Sequence, residues 1–218
     1  MGTCAAVAGL SIAFFGPVLL IAMDRLLGEP DDILIRVFGL LCMWILAGSV
    51  VAIVVRWEKL PMSSIGFRPR RQSIVWGLLL ALAFNRVIAP FLYWMIQKMG
   101  TPGFETGLAR VVYMPVWLLI FAALTGGVVE EVLFRGYGIE RLASITGSYW
   151  LAGLISTGAA ALLHLPMWGW GPVATFFVSG GVMTVFYIFT RDLAACMIVH
   201  SITDAVGFIS AHNAALLQ

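Results

Sequence analysis

The chain has 218 residues, of which 61% are hydrophobic and 11% are charged, and its net charge is +2. Soluble domains average about 45–50% apolar and about 25% charged residues. They also leave a large share of their residues facing water. The composition therefore excludes a secreted enzyme, a nucleic-acid-binding module and a disordered tail, and it predicts an integral membrane protein.

Seven segments are long and apolar enough to cross a bilayer, which takes roughly 20 residues. They cover residues 5–23, 33–55, 74–96, 111–134, 148–165, 172–190 and 193–211. The predicted fold class is all-α, a polytopic transmembrane helical bundle of seven spans, with eight as the alternative count. The sequence contains no visible repeat, low-complexity tract or second domain, so residues 1–218 are interpreted as a single transmembrane domain.

The lysines and arginines of the loops predict the orientation of the bundle. Loops 56–73, 135–147 and 190–192 carry eight of them, whereas loops 24–32, 97–110, 166–171 and the C-terminal tail carry three. The first group is assigned to the cytoplasm, which also places the N-terminus there. Residues 56–73 are then a cytoplasmic basic loop, and its stretch from Arg56 to Arg71 is expected along the inner headgroup layer.

The fourth segment contains ionisable side chains that are costly in hydrocarbon, at least about 2.5 kcal/mol each. Glu130 and Glu131 are adjacent, and Arg135 follows Glu131 by one helical turn. Glu131 and Arg135 therefore share a helix face and can pair, whereas Glu130 points about 100° away. Two carboxyl groups in such different environments are typical of a site that separates an acid/base residue from a structural one.

Two later segments add histidines and a further carboxylate. His164 ends the fifth segment, immediately before Leu165 and Pro166. His200 and Asp204 are four residues apart in the seventh segment, so they share a face on which the carboxylate can orient the imidazole or both can bind a cation. Three helices therefore bring acid/base or ligand groups to the membrane interior.

This order of motifs resembles the CPBP family of intramembrane proteases, which contains the CAAX prenyl endopeptidases and the bacterial Abi-like proteins. The resemblance consists of Glu-Glu-x-x-x-Arg at 130–135, a histidine at 164 and His-x-x-x-Asp at 200–204. Residues 111–211 are accordingly the predicted catalytic core. The resemblance implies an integral protein of a prokaryotic cell membrane that hydrolyses a peptide or membrane-protein substrate and binds no nucleic acid.

The resemblance also implies roles for the catalytic residues. Glu130 and His164 would activate the attacking water, Glu131 and Arg135 would support the site, and His200 with Asp204 would stabilise the oxyanion or bind metal. Two positions depart from the family pattern. Position 160 is Ala where the family commonly has Phe, which removes an aromatic wall. Position 204 is Asp rather than Asn, and an ionised Asp cannot donate a hydrogen bond, so orienting His200 or ligating a cation suits it better.

The cofactor question stays open at this level. Family members are often called metalloproteases, although a metal-free glutamate mechanism has also been proposed for them. The chain has no H-E-x-x-H motif. A divalent metal such as zinc could be held by Glu130, His164, His200 and Asp204, and the same side chains could serve a metal-free reaction.

The depth of the candidate residues tests whether they can meet. At 1.5 Å per residue, Glu130 lies ~16 Å of helix from Arg141, His164 ~24 Å from Ser148 and His200 ~12 Å from Asp192. Glu130 and His200 therefore lie at similar depths from the predicted cytoplasmic side, but His164 lies about two helical turns deeper. Hydrolysis also requires water, so we expect a hydrophilic cavity among spans four, five and seven that opens toward the cytoplasm.

The sequence therefore favours an intramembrane endopeptidase. One alternative is a non-catalytic membrane immunity or scaffold protein of the same fold, which binds a partner without cleaving it. Another is a proton-coupled carrier, since Glu, Asp and His inside a bundle also form proton relays, although the internal symmetry common in transporters is absent from this sequence.

Overall fold

The computed structural model describes residues 3–26, 32–101 and 103–217. Seven helices in this part of the chain are long and apolar enough to cross a membrane. They are α1 (Cys4–Leu26), α2 (Ile33–Trp57), α3 (Arg71–Met99), α4 (Val116–Thr146), α5 (Tyr149–Trp168), α6 (Trp170–Thr190) and α7 (Leu193–Leu216). The described residues contain no strand. The predicted all-α bundle and its seven spans are confirmed, and most of the predicted loop 24–32 lies outside the described residues.

Short polar signals set several helix ends. The Asp32 side chain accepts a hydrogen bond of 2.7 Å from the backbone N–H of Leu34 at the start of α2. Between α4 and α5 the whole connection is Gly147 and Ser148: Gly147 ends α4 at φ +71°, and Ser148 caps α5. Glycine is the residue that adopts this left-handed conformation at no steric cost, and Ser is a favoured N-cap.

Helix α4 is the centre of the bundle and packs against α1, α2, α5 and α7. Half of its most apolar window is buried inside the protein, compared with 17–28% for the other six helices. The remaining helices therefore expose most of their apolar side chains outward, as expected of helices that face lipid.

The predicted end of the fourth span at residue 134 is wrong, because α4 continues to Thr146. The charged residues of 135–146, which suggested a cytoplasmic loop, are paired inside the protein. Arg141 binds the buried carboxylate of Glu58 with a shortest contact of 2.6 Å. Glu140 pairs with Arg191 and accepts a hydrogen bond of 2.7 Å from the Tyr187 hydroxyl. Charges satisfied in this way do not have to leave the membrane region.

Arg191 lies in the turn between α6 and α7 and belongs to the same network. Its partial burial alone would lower the pKa of the guanidinium, but hydrogen bonds to Glu140 and Tyr149 raise that pKa above its ordinary value. The guanidinium also stacks on the Tyr149 ring, 3.4 Å from the ring centroid. Arg191 therefore stays charged and ties this turn to the end of α4.

The basic loop 56–73 is only partly at the surface. Its five cations, Arg56, Lys59, Arg68, Arg70 and Arg71, are exposed, but Ile65 and Gly66 are buried in the bundle. Leu193 donates its backbone N–H to the Gly66 carbonyl at 3.0 Å. Gly66 has φ +74°, and a Cβ there would meet the Tyr187 hydroxyl. The expectation that the stretch from Arg56 to Arg71 lies along the headgroups is therefore wrong for its centre, which packs into the protein.

The orientation of the bundle in the membrane remains a prediction, and the set of cations that supports it changes. Arg135, Arg141 and Arg191 are held in internal ion pairs, so they do not report on the side of the membrane. The loops on the predicted cytoplasmic side then keep five cations against three on the other side. The positive-inside rule counts such short-loop cations, and it still favours a cytoplasmic N-terminus.

The pair of Arg141 and Glu58 should stabilise the bundle strongly. Replacing Arg141 by Met leaves the Glu58 carboxylate buried and uncompensated, and we expect the free energy of unfolding to fall by about 3–5 kcal/mol. Denaturant unfolding in detergent micelles measures the change. The double variant Glu58→Leu/Arg141→Met removes both charges and should recover much of the loss. Arg56→Met, at an exposed arginine of the same segment, is the control, and equal stability of Arg141→Met and the control would contradict the prediction.

Candidate active site

The first motif lies in an unusual stretch of α4. From Gly126 to Ile139 the backbone has π-helical, i→i+5 hydrogen bonding. Such turns are rare and occur frequently at functional sites. This stretch contains both Glu130 and Glu131, and it determines which way the two carboxylates point.

Glu131 is fully buried and connects two helices. One of its carboxylate oxygens accepts hydrogen bonds from Arg135 and from the Nδ1 of His200, the latter at 2.8 Å. Arg135 also donates to the backbone carbonyl of Gly180 in α6, at 3.2 Å. The predicted pairing of Glu131 with Arg135 is therefore confirmed. The bond to His200 was not predicted, because spacing along one helix carries no information about a partner on another.

His200 lies between two carboxylates. Its Nδ1 faces Glu131, and its Nε2 is 3.5 Å from the Oδ2 of Asp204. The spacing of four residues brings His200 and Asp204 together as predicted, and the carboxylate of Asp204 is in position to orient the imidazole. Both ring nitrogens of His200 therefore face a carboxylate oxygen.

Glu130 faces away from Arg135 and toward α5. Its Oε1 is 3.8 Å from the Nε2 of His164. The Nδ1 of His164 is 2.8 Å from the backbone carbonyl of Ala160. Because a carbonyl only accepts hydrogen bonds, Nδ1 carries a proton, and in the neutral tautomer Nε2 is an acceptor that faces Glu130.

The two groups of side chains border one space beside Gly126. A Cβ placed on Gly126 would lie 3.1 Å from the Oδ2 of Asp204 and 3.9 Å from the Oε1 of Glu130, so these two oxygens are at most 7.0 Å apart. Four of the side chains around this space are 22–31% exposed: Glu130, His164, His200 and Asp204. The side chain of Glu131 is 0% exposed. Four of the five side chains are therefore partly exposed, and Glu131 supports them from within.

The depth conflict at His164 disappears with the corrected end of α4. Glu130 is sixteen residues before Thr146, and His164 is fifteen residues after Tyr149, so both are equally far from the turn that joins α4 to α5. Helix α7 begins deeper, because Leu193 packs against Gly136, ten residues before the end of α4. Seven further residues bring His200 to the level of the two glutamates. The overshoot arose because the depth of Glu130 was measured from Arg141, whereas α4 continues to Thr146.

An aromatic ring does contact His164, although position 160 is Ala. The ring of Phe176, from α6, lies 4.7 Å from the imidazole between centroids. The resemblance implied that an aromatic wall is absent from the site. That implication is wrong, because the wall comes from a different helix.

Several residues around the site were missed by sequence reasoning. Gly126 leaves the open space, and Gly127 lets α7 approach so closely that a Cβ would overlap Ser201. Asn85 of α3 donates to Thr203, next to Asp204, at 3.3 Å. Glycines in apolar helices are too common to single out, but an amide within an apolar span was a usable signal.

The arrangement does not fit a bound metal ion. The described residues contain no group of three or more His, Cys, Asp or Glu side chains that could hold one. Both nitrogens of His200 face carboxylates, and the Nδ1 of His164 is bound to a carbonyl. Catalytic zinc sites take three protein ligands around one open position. The four side chains proposed as ligands are instead divided into two pairs.

This fold and site define an integral membrane helical bundle with carboxylates and histidines gathered on three central helices. Residues 112–206 match the model of the family described as Type II CAAX prenyl endopeptidase Rce1-like. The resemblance to the CAAX endopeptidases is thereby confirmed, and the match covers α4 to α6 and the first part of α7, with all six candidate residues. Neither the curated proteins nor the solved structures contain a match.

The two glutamates should differ in their effect on stability. Glu131→Gln removes the buried anion that binds both Arg135 and His200, and we expect the free energy of unfolding to fall by about 3–5 kcal/mol. Glu130→Gln is the matched control. Its carboxylate is partly exposed and lies beyond hydrogen-bond distance of His164, so the change should stay within about 0.5 kcal/mol. Unfolding in detergent measures both, and equal losses would show that Glu131 has no special structural role.

Proposed function

We propose that this protein is an intramembrane endopeptidase in which Glu130 and His164 activate a water molecule. The observation that carries the proposal is the proximity of Glu130 Oε1 and His164 Nε2, which are 3.8 Å apart on two partly exposed side chains. The match to a family of CAAX endopeptidases over this part of the chain supports the reaction class.

The geometry of this pair suits a bridging water. A separation of 3.8 Å is too long for a direct hydrogen bond, but one water can donate its two hydrogens to two acceptors. Its lone pairs then point away from Glu130 and His164, toward the space beside Gly126. This is the orientation that a nucleophilic water needs.

The reaction follows general acid–base catalysis. Glu130 takes a proton from the water as the water oxygen bonds to the carbonyl carbon of the substrate. The same proton then passes from Glu130 to the nitrogen of the leaving amine as the C–N bond breaks. The products are a free amine and a carboxylic acid, which releases its remaining proton to water, and Glu130 returns to its ionised form.

The developing oxyanion needs a donor, and His200 is suited to this role. An ionised Asp204 accepts hydrogen bonds but donates none. With both ring nitrogens protonated, His200 would donate its Nε2–H to the oxyanion instead of to Asp204, while Glu131 accepts from Nδ1 at 2.8 Å. Arg135 binds Glu131, and Glu131 binds His200, so Glu131 and Arg135 act through His200 without contacting the substrate.

The family description also supports a lipidated peptide as the first substrate to test. An apolar groove of about 510 Å³ lies between α1 and α5 and is lined by Leu163 and Pro166, on either side of His164 in the sequence. Its volume is within the range of about 300–1,000 Å³ that small-molecule sites occupy. The proposed substrate is therefore a peptide whose attached isoprenoid chain enters this groove.

Replacing Glu130 by Gln should abolish hydrolysis while the protein stays folded, because the amide cannot take a proton from water. We expect the rate to fall by about 10²–10⁴-fold. Cleavage of a prenylated C-a-a-X peptide and of an unmodified peptide library in proteoliposomes, read by mass spectrometry, measures the effect. Full activity of the Glu130→Gln protein would sink the assignment. A wild-type protein that cleaves neither set would point to the non-catalytic alternative.

Chelation should leave cleavage unchanged, because the candidate ligands are engaged in two separate pairs. The wild-type protein is treated with EDTA or 1,10-phenanthroline, freed of chelator and assayed on the same peptides. Parallel samples receive zinc after treatment. Loss of activity that zinc restores would overturn the metal-free scheme and would require the side chains to rearrange around the ion.

A further inference from the structure

The imidazole of His164 has one hydrogen bond that fixes it within its own helix. That bond, from Nδ1 to the Ala160 carbonyl, sets the tautomer but does not prevent the ring from turning about it. His164 also sits where regular α5 ends, between Leu163 and the short helical turn Leu165–Trp168. A second contact is needed to hold Nε2 toward Glu130.

Phe176 supplies a contact of this kind. Its ring is inclined at 51° to the imidazole with centroids 4.7 Å apart, which is within the range of favourable aromatic pairs. Ala160 lies one turn before His164, on the same face of α5, but its methyl group is too short to cover the imidazole. The aromatic surface therefore comes from α6, the next helix in the chain.

Phe176 is itself fixed by two further rings, and we call Phe104, Trp168 and Phe176 the aromatic cluster. Phe176 makes edge-to-face contacts at 5.7 Å with both Trp168 and Phe104, and Phe104 is 6.0 Å from Trp168. Such edge-to-face pairs attract each other beyond what the buried area alone provides. The ring that touches His164 is thus held from two sides.

The aromatic cluster reaches outside the long helices. Phe104 precedes the short helix Glu105–Leu108, between α3 and α4. In that helix Gly107 packs so closely on Trp168 that a Cβ would overlap the indole. The segment before α4, the last turn of α5 and helix α6 therefore all contribute to the packing around the ring of Phe176.

We propose that Phe176 is a positioning residue for His164. Its ring, held by the rest of the aromatic cluster, keeps the Nε2 of His164 facing Glu130, and it takes the place of an aromatic side chain at position 160 on α5 itself. This inference rests on the proposed function for its effect on the rate, but the orientation of His164 does not depend on any activity.

The first experiment compares Phe176 variants on a peptide that the wild-type protein cleaves. Phe176→Leu keeps the apolar volume but removes the ring, and kcat should fall about 10²-fold with KM nearly unchanged, the effect expected when a catalytic group is misplaced by about 1 Å. Phe176→Tyr retains the ring and should keep most of the activity. Phe177→Leu, at the neighbouring phenylalanine that is 41% exposed, is the matched control and should match wild type.

A second-site variant tests whether the ring itself is what matters. In the Phe176→Leu background, Ala160→Phe places an aromatic side chain one turn before His164, on the same helix face. We expect this double variant to recover a large part of kcat. Wild-type kcat in Phe176→Leu, or a double variant no better than Phe176→Leu, would overturn the inference while leaving the proposed function in place.

A spectroscopic measurement keeps the inference testable without activity. The chain has three histidines, so ¹⁵N-histidine NMR signals can be assigned by replacing each one. Wild type should show His164 protonated at Nδ1 alone, and Phe176→Leu should show exchange between the two tautomers as the ring turns. An unchanged His164 signal in folded Phe176→Leu protein would overturn the inference. If that variant does not fold, Gly107→Ala, which displaces Trp168, should produce the same exchange to a smaller extent.

Discussion

The carboxylate of Glu131 is buried completely in the middle of a membrane protein, and its pairing with Arg135 and His200 is the interaction on which the site depends. An ionised carboxylate without partners in this environment would be far too costly. Arg135 supplies one partner from the next turn of α4, and His200 supplies the other from α7. The same oxygen therefore fixes the register between two helices and holds one histidine of the site.

This pairing leaves Glu130 available for chemistry. Adjacent residues on a helix point in different directions, so the turn that directs Glu131 into the core directs Glu130 toward α5 and the open space. The neighbour is paired and buried, whereas Glu130 is partly exposed and faces only the Nε2 of His164. One short sequence thus provides a structural carboxylate and a chemically available one, and the surrounding helices determine which is which.

The sequence predicted the fold class and the helix count well, because the apolar segments are long and the connections are short. It predicted contacts within one helix equally well: Glu131 with Arg135, and His200 with Asp204, follow from a spacing of four residues. It failed where the partner comes from elsewhere in the chain. The predicted end of α4 was wrong because the charges of Glu140 and Arg141 are typical of a loop outside the membrane. Only the folded structure reveals that Glu140 pairs with Arg191 and that Arg141 pairs with Glu58. Phe176 escaped notice for the same reason, since nothing in its own helix marks it as a neighbour of His164.

The π-helical backbone of Gly126–Ile139 constrains how this segment can change over evolution. Within a helix, adding or deleting one residue rotates everything beyond it by about 100° relative to everything before it. Glu130, Glu131 and Arg135 have partners on α5, α6 and α7, so no single rotation could preserve all of these contacts. The segment should therefore accept no insertions or deletions. Length variation among functional relatives is expected in the connections between helices, such as the residues between α3 and α4, and not within this stretch.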